Sequence, residues 1–151
     1  MDVIWKGAAV GNYGIGRFDP VTHKPVIADL IVLHWIVGSL ASADKSFNTP
    51  GRKASATYGV GQKEVHQYVD EKNTPYSNGN SNPAKNTNPR SISIEHEGGW
   101  LLPDGTRAKP TSQVHELSSQ LIVDIVKRNP VIKLGCNAKV LLTQTKIQLV
   151  V

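Results

Sequence analysis

Cysteine is nearly absent from this chain of 151 residues. Cys136 is the single one, which excludes an internal disulfide and a Cys-x-x-Cys zinc cluster. No apolar run approaches the ~20 residues of a membrane-spanning helix, so no membrane span is expected. The N-terminus, Met1-Asp2-Val3-Ile4-Trp5-Lys6, lacks the basic-then-apolar layout of a secretory signal. Acidic residues stop at Asp124, whereas Lys127, Arg128, Lys133, Lys139 and Lys146 follow it. No aromatic residue interleaves with those late lysines, so the tail lacks the stacking platforms of a nucleic-acid binder. What remains suits a globular protein: 39% hydrophobic and 19% charged residues, in a length that one domain with a real core can use. The net charge of +5 favours an anionic partner.

Residues 1–27 are rich in Gly, Pro and Asn and read as an ordered arm leading into the first strand. The Gly14 and Gly16 pair has no strand before it and no helix after it, so it is not a nucleotide-binding turn. The apolar run 29–37 reads as a central strand covered on both faces. A loop with a short helix around Ala41 to Phe47 follows. Ala54 to Val60 and Glu64 to Val69, joined by Gly61-Gln62-Lys63, suit a hairpin. Residues 70–90 hold almost no aliphatic side chains and read as a long surface loop of the kind that often carries function. Tyr76 and Asn78 in that loop read equally well as ligand contacts and as ordinary surface residues.

Ser91 to Glu97 alternates as a strand with two different faces. Ile92, Ile94 and His96 point one way, and Ser91, Ser93, Glu95 and Glu97 the other. A helix is expected from Thr111 or Ser112 through Arg128, with Val114, Leu117, Leu121, Ile122, Ile125 and Val126 on its apolar face and His115 in solvent. Asn129-Pro130 stops it. Residues 131–151 look strand-like. This order predicts an α/β fold with a mixed central β-sheet flanked by helices.

Two positions stand out chemically. His34 sits in the middle of the apolar run, where a buried imidazole must satisfy both ring nitrogens, by hydrogen bonds within the core or by a metal. Glu95 and Glu97, at i and i+2 on one strand face among small residues, are either edge decoration or a general base lining a cleft.

The combination of Ile31-Val32-Leu33-His34-Trp35, Lys53-Ala54-Ser55-Ala56-Thr57-Tyr58-Gly59-Val60-Gly61, His66-Gln67-Tyr68-Val69, Thr74-Pro75-Tyr76-Ser77-Asn78-Gly79-Asn80 and Asn88-Pro89-Arg90-Ser91-Ile92-Ser93-Ile94-Glu95 resembles the zinc-dependent N-acetylmuramoyl-L-alanine amidases. This is the type 2 amidase family of phage and bacterial lysins, related to peptidoglycan recognition proteins. The resemblance implies one open cleft for bacterial cell-wall peptidoglycan and cleavage of the amide between muramic acid and L-alanine by zinc-activated water. It implies His34 as a zinc ligand, Glu95 as general base or stabiliser, and Trp35, Thr57, Tyr76 and Asn78 as substrate-binding residues. It also divides the chain into an N-terminal arm, 1–27, an amidase-like catalytic domain, 28–130, and a C-terminal tail of that domain, 131–151. A monomer in the host cytoplasm or outside the cell, without a recognisable signal peptide and acting at the cell wall, is the corresponding expectation.

The chain departs from the family pattern in two places. Thr57 stands where many lysins have a histidine, and a threonine carries no proton at neutral pH. No histidine follows His115, and Gly135-Cys136-Asn137 stands where lysins often have Gly-His-Asn, leaving Cys136 as a soft substitute ligand. Zinc catalysis normally uses three protein ligands. The departures therefore predict weakened zinc binding, with a truncated or frameshifted tail as one origin. The alternative function is a non-catalytic peptidoglycan-binding module with a degenerate zinc site.

Overall fold

The computed structural model describes residues 2–79, 82–133, 139–143 and 146–150. Its centre is β3, Leu30–Trp35, with Ile31, Val32 and His34 buried and Leu30, Leu33 and Trp35 partly so. β7, Ser91–His96, runs parallel beside it in a continuous register from Leu30 opposite Ser91 to Trp35 opposite His96. On the far side of β7 lies β4, Tyr58–Val60, also parallel to it. β5, Val65–Gln67, pairs antiparallel with β4, as the hairpin signal requires. β1, Val3–Trp5, adds a parallel edge strand to β5. On the other flank of β3, β9, Lys146–Val150, pairs antiparallel with Leu33 opposite Ile147, and β8, Lys139–Thr143, closes that edge. Among the described residues the sheet order is therefore β1-β5-β4-β7-β3-β9-β8. A small second sheet joins β2, Tyr13–Gly14, to β6, Thr74–Pro75.

A helix covers each face. α2, Ser112–Arg128, starts where Thr111 accepts from the Val114 amide, and it ends at Asn129, one residue before the proline. Its Val114, Leu121 and Ile125 pack on Ile31, Ile92, Ile94, Val60 and Val65 to form the larger core. α1, Leu40–Asn48, is capped by the Ser39 hydroxyl and brings Ala43 and Phe47 onto Ala56, Tyr68 and Val69 on the opposite face. The expected mixed sheet between helices is what the chain forms.

Three local readings change. The stretch 1–27 is not merely a lead-in, because β1 extends the main sheet and buried Asn12 clips α1: its amide donates to the carbonyls of Phe47 and Thr49, both at 2.8 Å. The stretch 70–90 is less of a surface loop than its composition suggests, since Thr74, Pro75, Asn88 and Pro89 are buried. Side-chain amides and short 3-10 turns at Pro83–Lys85 and Asn88–Arg90 supply the polar partners that aliphatic packing does not. Glu97 does not share an open cleft with Glu95. It accepts from the Leu40 amide at 3.2 Å, at the N-terminus of α1, where a carboxylate is favoured.

Candidate active-site cleft

The parallel register places His34 directly opposite Glu95 on neighbouring strands. Side chains opposite each other in a sheet share a face, and strands lie about 4.8 Å apart, so imidazole and carboxylate stand side by side on the α1 side of the sheet. Sequence reasoning sets His34 on a strand adjacent to that of Glu95, as its partner across the cleft; the exact register between these segments, 61 residues apart, comes from the structure.

Glu95 lines a cleft of about 320 Å³ whose walls include Trp35, Ile36, Ser46, Arg52 and Ala54. The Arg52 Nε leans on the Ser46 hydroxyl at 3.3 Å, so a cation stands at the rim of a cleft with a carboxylate inside it. His34 is only 4% exposed. Its Nε2 meets the side-chain oxygen of Asn78, and the Asn78 amide nitrogen donates to the Ser91 hydroxyl at 2.6 Å. Asn88 supports this arrangement from below, accepting from the amides of Ser77 at 3.2 Å and Asn78 at 2.6 Å.

The remaining sequence candidates lie at differing distances from this pair. Thr57 is fully buried, and its hydroxyl accepts from the Ser93 amide at 3.2 Å while the Ser93 hydroxyl accepts from the Thr57 amide at 3.1 Å. It ties the segment leading into β4 to β7 beneath the cleft. Trp35 borders the cleft, and its ring packs on Gly99, where an added Cβ would lie 2.9 Å from it. Tyr76 is half-buried, its hydroxyl near Gly14 of the N-terminal arm, and its backbone bonds to Ser55. The turn residue Asn80, Cys136 and Thr145 lie outside the described residues.

One residue that sequence reasoning treated only as an inward strand position belongs to the same surroundings. His96 points to the α2 side, with its Nδ1 bonded to the His34 carbonyl at 3.0 Å and its Nε2 to the Ser118 hydroxyl at 2.7 Å. Burial lowers its pKa to about 4, so the ring is neutral and donates from Nδ1. A second buried cluster stands apart from the cleft. His66 Nδ1 contacts Asp44 at 2.8 Å, Tyr68 donates to the same carboxylate at 2.8 Å, and burial raises the Tyr68 pKa.

The family model for N-acetylmuramoyl-L-alanine amidases matches residues 23–141. The chain belongs to this family. Solved structures of similar fold include a mutant of PlyL, at 12% identity and a TM-score of 0.65, covering 88% of this chain and 78% of that one. A mutant endolysin from Bacillus subtilis is similar at 20% identity and a TM-score of 0.63, covering 88% and 79%. AmpDh3 from Pseudomonas aeruginosa, in complex with anhydromuramic pentapeptide, is similar at 22% identity and a TM-score of 0.60, covering 74% of this chain and 50% of that one. No curated protein sequence matches the chain.

Members of the family are generally zinc-dependent. Among the described residues, no group of three His, Cys, Asp or Glu side chains is placed to hold a metal. One imidazole beside one carboxylate falls short of the three ligands of catalytic zinc, so the described donor set does not by itself fit the ion.

Proposed function

We propose that the chain is a peptidoglycan hydrolase that cleaves the amide between N-acetylmuramic acid and L-alanine in bacterial cell wall. The observation that carries this reading is the side-by-side placement of His34 and Glu95 on one sheet face, within a chain of the amidase family. Glu95, open to the cleft, is the general base that takes a proton from the attacking water and passes it to the leaving amine. His34 is the metal-ligand residue of this reading. Trp35 and the Arg52 rim bind substrate, and Thr57 acts by holding the floor of the cleft. No step is assigned to a metal ion on the described residues.

The test is a cell-wall turbidity assay combined with the zinc content of the purified chain. Glu95→Gln is expected to lower lysis about 10²–10⁴-fold, the range of a lost general base, without loss of fold. Stoichiometric zinc, with lysis abolished in His34→Ala, supports the zinc-dependent hydrolase. The short donor set favours a second reading, a peptidoglycan-binding module without catalysis, and wall binding with neither zinc nor lysis supports that one.

A further inference from the structure

We propose that Asn78 is a positioning residue that fixes the ring proton of His34 on Nε2, making Nδ1 the basic nitrogen. The functional meaning of this inference rests on the hydrolase reading of His34, whereas its geometry does not. The argument starts from a group that can only accept. The main-chain carbonyl of Asn88 receives the Ser91 hydroxyl at 3.3 Å, so the Ser91 proton is committed there. The Ser91 oxygen is then an acceptor for Asn78, and the group 2.6 Å from it must be the amide nitrogen. That turns the Asn78 side-chain oxygen toward His34 Nε2. A carbonyl oxygen cannot donate, so Nε2 carries the hydrogen, and in a neutral imidazole the lone pair then lies on Nδ1.

Asn78 is held in place to perform this role. The Asn88 side-chain oxygen accepts from both the Ser77 and Asn78 amides, pinning the loop backbone on either side of the Asn78 Cα. With His34 only 4% exposed, the reverse tautomer would set the Nε2 lone pair against the lone pairs of the Asn78 oxygen, with little water to relieve it. The consequence is chemical. Any electron pair the ring offers, to a Lewis acid or to a proton, comes from Nδ1. Asn78 therefore acts on the reaction through His34, as a carbonyl partner orients a ligating imidazole.

Ring-nitrogen NMR of the metal-free chain with ¹⁵N-labelled histidine tests this without substrate or turnover. His96 serves as the internal reference, because its Nδ1 donates to the His34 carbonyl and its Nε2 accepts from Ser118, the opposite arrangement. The wild-type spectrum is expected to show His34 protonated on Nε2 and His96 on Nδ1. Asn78→Leu is expected to shift the His34 tautomer ratio by roughly tenfold or more toward Nδ1–H, the scale of one lost buried hydrogen bond. Asn78→Asp restores an acceptor and the Nε2–H form, and His96 stays unchanged throughout. Ser91→Ala, which removes the acceptor that orients the amide, is expected to move the ratio in the same direction as Asn78→Leu. Wild-type His34 protonated on Nδ1 overturns the proposal even if every variant fails to fold. So does an Asn78→Leu spectrum identical to wild type. Nε2–H in a chain with no lytic activity leaves this inference standing and removes the hydrolase reading instead.

Discussion

Burial of His96 between the His34 carbonyl and Ser118 has a consequence for stability as well as for geometry. Its pKa falls from 6.5 to about 4, chiefly through desolvation. The unfolded chain takes up a proton below pH 6.5 that the folded chain refuses until about pH 4. The neutral, hydrogen-bonded ring therefore contributes its full stability above pH 6.5. That contribution is lost as pH falls through the window down to about 4, with a maximum near 3 kcal/mol at 1.36 kcal/mol per pKa unit. Urea midpoints measured across this window should drop in the wild type, and the drop should be smaller by about that amount in His96→Gln. Asn12 makes a prediction of a different kind. Its side chain satisfies the carbonyls of Phe47 and Thr49 and accepts from the Lys53 amide at 2.9 Å, all from a fully buried position. Asn12→Ala strands the Lys53 amide, while the Phe47 and Thr49 carbonyls keep the Ala9 and Arg52 amides, and it should cost roughly 1–3 kcal/mol in equilibrium unfolding, the scale of one unsatisfied buried group.

Between elements, α1 and β4 approach each other closely. A Cβ on Gly59 would stand 2.7 Å from a Leu40 methyl and 2.9 Å from the Tyr68 ring, so the helix packs where a side chain is missing. Gly59→Ala should destabilise the fold by about 1–3 kcal/mol, and Leu40→Ala in the same chain should recover part of it if the Leu40 contact is the cause. This spacing also marks what was legible in the sequence. β7 and α2 announce themselves because their apolar residues repeat at the period of their element, β3 because its run is apolar on both faces, and Thr111 is a recognisable cap. β1 and β2 give no such signal, being three and two residues long with exposed or half-exposed side chains. His34, Glu95 and Asn78 could be named from residue type and motif. The contact of Asn78 with His34 could not, because Asn78 reaches His34 across 44 residues and through a loop whose burial depends on Asn88 rather than on any apolar run.

The sheet order has a practical consequence at the scale of the whole molecule. β1 lies at one edge, and β9 lies five strand positions away, one place in from the other edge. At about 4.8 Å per strand, that separation is roughly 24 Å across the sheet. Compact domains often bring their ends close together, which is what makes circular permutation easy. Here a peptide joining the last strand to the first must cross most of the sheet's width, or about seven residues fully extended at ~3.3–3.6 Å each, and more to round a face covered by a helix. Permutants opened in the exposed Pro103-Asp104-Gly105 turn should fold, as judged by circular dichroism, with a joining peptide of a dozen or more residues and fail with one of four. A module fused before β1 and one fused after β9 would likewise leave the domain on opposite sides. The hydrolase fold would then act as a spacer that holds its two attachments apart.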